Sequence, residues 1–187
     1  MRKVTFGVAS SLDHYIARAD QSVDWLLWSK EAQAVSARSW EGVDTLLMGR
    51  KTYEVALKSA PRGNGGEGGI KTYVFSRSLE PDPERDRGAE IIGDAVEFVR
   101  SIKGEEGKDI LLMGGGELAR PLLEEGLIDE LGLNMHPILL GGGVPLFHGL
   151  ERPVNLELMR CQPFENGCVY LHYRVWSRTP RRASASE

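Results

Sequence analysis

Residues 110–126 read ILLMGGGELARPLLEEG, and they are the strongest indication of the fold in the sequence. Its four apolar residues predict a buried strand, its three glycines predict a turn, and the residues after them predict a helix that Gly126 ends. A strand that runs through a tight turn into a helix is the building unit of a parallel α/β sheet. The glycines also fit the pattern G-x-G-x-x-A, in which the backbone can approach a pyrophosphate at a helix N-terminus. A tight turn that binds nothing is the alternative.

The same alternation continues on both sides of this stretch. Strands are predicted at residues 3–10, 15–17, 45–48, 72–76, 89–92, 110–113, 128–140, 154–163 and 168–175, and helices at 24–40, 51–58, 95–102 and 117–125. Ser22 or Asp24 is the predicted start of the first helix, and Asn166-Gly167 predicts the turn of a closing hairpin. Residues 61–69 and 79–87 are predicted loops. The order predicts a mostly parallel α/β sheet that ends in antiparallel strands.

Length and composition limit the class of protein. The chain has 187 residues, which fits one domain over residues 1–177 followed by a frayed polar tail at 178–187. A net charge of −4 gives no electrostatic basis for binding nucleic acid, and no apolar run is long enough to cross a membrane. Two cysteines fit a reducing cytoplasm, and four scattered histidines predict no metal site.

Residues 47–52, LMGRKT, repeat the passage from strand through glycine to helix. Here Arg50, Lys51 and Thr52 lie at the predicted start of the helix. Cations at a helix N-terminus oppose the helix dipole, but a bound phosphate would reverse that penalty. A solvated basic helix start is the alternative.

A third phosphate-type segment follows the next predicted strand. Ser76, Arg77 and Ser78 offer two hydroxyls and a guanidinium, and an arginine near the adenosine ribose selects NADP over NAD. Most triplets of this kind are exposed loops. Ligands collect at the carboxyl ends of parallel strands, where these three segments are predicted to lie. Together they predict a phosphorylated ligand that is long enough to touch three loops, and a dinucleotide fits.

Asp13 follows the first predicted strand in the sequence SSLD. Its carboxylate could hydrogen-bond a polar heterocycle, or it could cap a turn. Trp25 and Trp28 are expected in the helix core or in a pocket wall. Glu31 is expected to face solvent or a pocket.

Five segments carry a family resemblance: VASSLDHYIA (8–17), LLMGRKTYE (46–54), YVFSRSL (73–79), residues 110–131 and PILLGGGVPLF (137–147). In this order they resemble the dihydrofolate reductase-like family, nearest to the reductase domain of bacterial riboflavin biosynthesis and its stand-alone homologues. The resemblance implies a three-layer fold around a central, mostly parallel eight-stranded sheet with antiparallel C-terminal strands and flanking helices. It also implies NADPH as the hydride donor.

The resemblance assigns the cofactor residues. The residues expected along the cofactor are Gly49, Arg50 and Thr52 at its phosphates, Ser76 and Arg77 at the 2′-phosphate, and Gly114, Gly115, Gly116, Glu117 and Leu118 along the pyrophosphate and nicotinamide. It further implies a cis peptide bond between Gly114 and Gly115. Asp13, or a water that it positions, is the candidate proton source.

The expected reaction is hydride transfer to a C=N or C=O group of a pyrimidine- or pteridine-like ring, of the 5-amino-6-(5-phosphoribosylamino)uracil reductase type. The substrate is less determined than the cofactor, because Gly114 stands where riboflavin-pathway reductases usually have Glu. The motif Trp-x-x-Pro-x-Asp of dihydrofolate reductases is also missing. A dihydrofolate reductase proper, a nucleotide-binding module without turnover and a structural subunit are the alternatives. Residues 138–140 and 145–147 could support a homodimer.

Overall fold

The structure is a computed structural model that describes residues 1–59, 69–86, 88–147 and 149–176. Its strands are β1 (Val4–Ser11), β2 (Tyr15–Ala17), β3 (Val43–Gly49), β4 (Lys71–Phe75), β5 (Glu90–Ile92), β6 (Asp109–Met113), β7 (Glu130–His136), β8 (Val144–Pro145), β9 (Leu156–Pro163) and β10 (Val169–Val175). Its helices are α1 (Lys30–Glu41), α2 (Arg50–Ser59), α3 (Pro83–Asp86), α4 (Ala95–Lys103) and α5 (Gly116–Glu124).

One eight-stranded sheet organises the fold, with its strands in the order β5-β4-β3-β6-β1-β7-β10-β9. Every neighbouring pair from β5 to β7 is parallel, whereas β10 runs antiparallel to both β7 and β9. β2 and β8 form a separate two-stranded ribbon. This topology confirms the predicted α/β sheet, which is mostly parallel and ends in antiparallel strands.

Helices cover both faces of the sheet. Successive residues of a strand point to opposite sides, so the side chains of one strand pack into both helical layers. In β3, Leu47 joins the main core with Val99 of α4 and Leu122 of α5. Its neighbour Met48 packs instead with Tyr53 of α2. A third, smaller cluster lies between α1 and the β9–β10 hairpin. The arrangement is therefore a three-layer α/β/α sandwich.

The turn between β6 and α5 depends on two close approaches. Gly114 has φ 128°, and a Cβ there would lie 2.4 Å from the Thr52 Oγ1. A Cβ on Gly116 would lie 1.8 Å from the carbonyl oxygen of Leu146. The predicted cis bond between Gly114 and Gly115 is wrong, since none of the described peptide bonds is cis. Gly114 turns the chain through its positive φ, a conformation that glycine adopts without a steric penalty.

The first predicted helix, residues 24–40, begins later than expected. Ser29 caps α1 by accepting a 3.1 Å hydrogen bond from the backbone N–H of Ala32. Residues 24–29 are not helical, because Trp25 is buried with its ring centroid 5.2 Å from that of His136. The backbone N–H of Leu27 also donates to His136 Nδ1 at 3.2 Å. Tertiary contacts thus override the helical spacing of the tryptophans.

Two further predictions need correction, and one short strand was missed. The strand predicted over 128–140 ends at His136, because Pro137 has no N–H to donate to a ladder. The loop predicted at 79–87 contains the short helix α3, where Asp82 accepts hydrogen bonds from two backbone N–H groups of its first turn. β8 was not predicted. In residues 145–147, Leu146 is fully buried and its two neighbours are partly buried, and the homodimer stays a prediction.

The two cysteines lie in different environments. Cys161 is exposed on β9 and Cys168 is buried, and both are free thiols. Cys161 stands opposite Leu171 in the ladder rather than opposite Cys168. Three parts of the sequence lie outside the described residues: the predicted tail at 178–187, residues 61–68 of the predicted loop at 61–69, and His148.

We expect Gly116→Ala to lower the free energy of unfolding by at least about 2 kcal/mol, because the new methyl group would overlap a backbone carbonyl that cannot rotate away. Gly42→Ala is the matched control: nothing lies within 4 Å of its Cβ position, and a change below about 0.5 kcal/mol is expected. Urea unfolding followed by circular dichroism measures both. Equal stability of the two variants would contradict the close approach.

Candidate functional site

The predicted site residues lie along one edge of the sheet. β4, β3, β6 and β1 are consecutive neighbours and parallel, so their carboxyl ends fall in a row. Ser76 and Arg77 follow β4, Arg50 follows β3, Gly114 follows β6 and Asp13 follows β1. Strands are about 4.8 Å apart, so the row spans roughly 14 Å. This edge can therefore hold one extended ligand across several loops.

The loops after β3 and β6 are packed against each other. Thr52 fills the space where Gly114 has no side chain, and a Cβ on Gly49 would lie 3.9 Å from Leu118. Lys51 Nζ lies 3.8 Å from the Glu117 carboxylate, on the exposed side of this contact. The structure thus brings the N-termini of α2 and α5 side by side.

The start of α5 has free hydrogen-bond donors. Gly115 is its N-cap residue, and no side chain caps the first turn. The first N–H groups of a helix have no partner within the helix, and the helix dipole favours an anion near them. Gly114 and Gly115 at this turn are partly buried and Gly116 is buried. We call residues 114–117 the glycine cradle. A pyrophosphate is the kind of group that such a cradle binds.

Two arginines flank the cradle. Arg50 Nη1 donates to Glu54 Oε1 at 2.8 Å, but both side chains are partly exposed and such a pair contributes little stability. Arg77 is exposed and makes no ion pair or side-chain hydrogen bond with another described residue. Ser76 Oγ accepts hydrogen bonds from the backbone N–H groups of Ser78 and Leu79, at 3.2 and 2.9 Å, and so fixes the loop that carries Arg77. Both guanidinium groups can therefore turn to a phosphate.

Asp13 ties two loops together. Its carboxylate accepts hydrogen bonds from the Ser11 hydroxyl at 2.6 Å and from the backbone N–H groups of Leu140 and Gly141, at 3.1 and 2.8 Å. The Ser11 bond is the main cause that lowers the pKa of Asp13 to about 2. The carboxyl group is ionised at neutral pH and has no proton to donate. The turn role is observed, and a catalytic role of Asp13 stays a prediction.

His136 is a site residue that the sequence did not single out. It ends β7 beside the end of β1, is 2% exposed, and holds residues 24–29 through its contacts with Leu27 and Trp25. Burial lowers the pKa of its imidazole, so the ring is neutral. Cys168 Sγ lies 3.4 Å from His136 Nδ1. Only the tertiary contact reveals this role, because a single histidine at a strand end carries no pattern.

Two other kinds of site are absent from the part of the chain that the structure describes. No three His, Cys, Asp or Glu side chains there come together as metal ligands would. Among the described helices, none combines the length and the apolar character needed to cross a membrane.

Several solved protein structures are similar to this one. The structure of a "Putative riboflavin biosynthesis protein" from Shewanella sp. PV-4 is 27% identical, with a TM-score of 0.76 over 95% of this chain and 100% of that one. Two structures that are less than 25% identical show the fold alone. The Thermotoga maritima diaminohydroxyphosphoribosylaminopyrimidine deaminase/5-amino-6-(5-phosphoribosylamino)uracil reductase matches at 18% identity and a TM-score of 0.66, over 94% of this chain and 57% of that one. Dihydrofolate reductase from Enterococcus faecalis, complexed with NADP(H), matches at 16% identity and a TM-score of 0.66, over 94% and 97%.

The sequence comparisons cover most of the chain as well. The protein YwjB of Bacillus subtilis (strain 168) is 35% identical over 175 residues, which are 92% of this chain and 97% of that protein. Residues 2–170 match the RibD C-terminal domain. The chain therefore belongs to the RibD C-terminal domain family.

Proposed function

We propose that this protein is an NADPH-dependent reductase that transfers a hydride to a C=N or C=O group of a pyrimidine- or pteridine-like ring. The observation that carries the proposal is the row of three phosphate-type loops at the carboxyl ends of β4, β3 and β6. Membership of the RibD C-terminal domain family supports it. So do the reductase activity named for the Thermotoga neighbour and the NADP(H) named for the Enterococcus neighbour.

The residues present fit this cofactor. The uncapped start of α5 offers free N–H groups at the turn formed by Gly114, Gly115 and Gly116, and these glycines allow the close contacts with Thr52 and Leu146 that hold the turn in place. We assign Gly49, Arg50 and Thr52 to the cofactor phosphates, and Glu117 and Leu118 to the same cradle. Ser76 and Arg77 are assigned to the 2′-phosphate, because Arg can grip a phosphate with two parallel hydrogen bonds. When bound, NADPH supplies the hydride.

The chain itself supplies alignment and a place for a water. The β6–α5 turn and the end of β1 are neighbours, so a ring bound beside Asp13 lies next to the cradle. Holding two reactants in register in this way can lower the free-energy barrier of the reaction by about 7–11 kcal/mol. The proton must come from water, since the Asp13 carboxylate is ionised, and we assign Asp13 to positioning that water. The cytoplasmic location and the homodimer stay predictions.

The cofactor assignment is tested with Arg77→Ala. We expect the dissociation constant for NADPH to rise about tenfold or more, because a hydrogen bond between charged groups contributes about 1.5–3 kcal/mol. NADH has no 2′-phosphate, so its affinity should not change. Titration followed by tryptophan fluorescence measures both, with Arg38→Ala, an exposed arginine in the last turn of α1, as the control. An equal loss for the two nucleotides, or no binding of either by the wild type, would refute the assignment.

The role of Asp13 is tested by its pH dependence. A carboxyl group whose pKa is lowered to about 2 is ionised throughout pH 4–8, so kcat/KM should show no acidic limb from Asp13 in that range. Asp13→Asn should lower kcat/KM about 100-fold without changing the shape of the profile. Asp20→Asn, an exposed carboxylate in the same connection, is the control. An acidic limb that disappears in Asp13→Asn would instead make Asp13 the proton donor.

A further inference from the structure

Exposed apolar side chains gather at one end of the row of loops. Leu12, Leu27, Trp28 and Leu139 are 52%, 43%, 69% and 69% exposed. We call these four residues the apolar patch. Their backbones are held together at the carboxyl ends of β1 and β7: Leu12 N–H donates to the Ile138 carbonyl at 2.8 Å, and Leu27 N–H donates to His136. The patch is therefore a built part of the fold.

The patch continues the proposed cofactor site. Leu12 is adjacent to Asp13, and Asp13 binds the backbone of the residues that follow Leu139. In sheet order, β1 separates β6 from β7. The patch thus lies on the far side of Asp13 from the glycine cradle, at the end where a ring that accepts a hydride would sit.

Charge is divided along the edge. Arg50, Lys51 and Arg77 lie at the ends of β3 and β4. At the other end, residues 137–147 contain no charged side chain. Of the two cations in residues 12–31, Arg18 is paired with Asp24 at 2.7 Å. The cationic groups that a phosphate needs are concentrated at the cofactor end.

A cavity of about 490 Å³ opens beside the patch. It is lined by Ser29, Lys30, Glu31, Glu165 and Asn166. The lining therefore contains two carboxylates and one ammonium group. α1 begins here, but Ser29 already caps its first turn and Glu31 already places a negative charge in it. A phosphate monoester would meet these carboxylates without the free helix N-terminus that α5 offers.

A buried donor underlies the same region. Trp25 is 6% exposed, and its Nε1–H has no hydrogen-bond partner among the described residues. Buried polar groups in native structures are almost always bonded. The Nε1 atom is itself closed off from solvent, so this donor does not reach a ligand on the exposed apolar patch.

We propose that the apolar patch binds the aromatic ring of a substrate that carries no phosphate group, with the Trp28 indole as the surface on which the ring stacks. Rings stack on exposed aromatic side chains, and replacing such a side chain with alanine weakens binding by about 5- to 150-fold. The inference rests on the proposed function only in placing the hydride donor next to this ring.

The test uses two ring compounds, each with and without a phosphate. They are 5-amino-6-ribosylaminouracil and its 5′-phosphate, and 7,8-dihydroneopterin and its monophosphate. Each is titrated calorimetrically against the full chain, in the presence and in the absence of NADPH. We expect at least one unphosphorylated compound to bind about tenfold more tightly than its phosphate. Tighter or equal binding of both phosphates, or no binding of any ring while NADPH binds, would overturn the proposal.

Variants test the stacking residue. Trp28→Ala should weaken ring binding about tenfold and leave NADPH affinity unchanged, whereas Trp28→Phe should keep most of it. Trp176→Ala is the matched control. Trp176 is 62% exposed, but it follows the end of β10 that pairs with the start of β7. It therefore lies at the edge of the sheet opposite to the apolar patch. Unchanged ring binding in Trp28→Ala would remove Trp28 from the site. Ring binding without NADPH binding would refute the proposed cofactor and leave the patch standing.

Discussion

The approach of Gly116 to the backbone of Leu146 holds the functional edge together. Only a residue without Cβ allows α5 to start this close to a carbonyl oxygen. Leu146 N–H in turn donates to the His14 carbonyl at 2.8 Å, and His14 follows Asp13, which binds the backbone at Leu140 and Gly141. These contacts link the ends of β6 and β1 with the segment after β7. Each loop of the site is thus positioned by the others rather than by its own strand alone.

One result of this arrangement is that the two ends of the edge differ in charge. Cations at the β4 and β3 ends favour phosphates there, while the β1 and β7 ends offer apolar and acidic side chains. A dinucleotide with phosphates toward one end and a reactive ring toward the other matches the division. Asp13 stands between the halves, and its ionised carboxylate accepts three hydrogen bonds that hold the loops, which leaves acceptor capacity for a water. The proposed function needs few catalytic side chains, because alignment of cofactor and substrate can supply much of the rate enhancement.

Much of this organisation could be predicted from the sequence. Buried strands such as 110–113 are short apolar runs bounded by glycine, and the carboxyl ends of parallel strands must share an edge, so the grouping of Gly49, Arg77 and Gly114 followed from topology. The irregular segment before Lys30 did not follow, because Trp25 leaves the helical pattern only through its contact with His136. The backbone conformation at Gly114 could not be predicted from the sequence either. Glycine permits several turns there, and the observed one places Thr52, from a different loop, against Gly114.

The unequal exposure of the two thiols has a practical consequence. Cys168 is buried, and burial raises the pKa of its thiol, so little thiolate forms there. Cys161 is exposed on β9, which β10 and β7 separate from β1. A maleimide dye should therefore attach at a single position without any cysteine being removed. The native chain can carry one spectroscopic label on its outermost strand, away from the glycine cradle, and report on domain motion or tumbling.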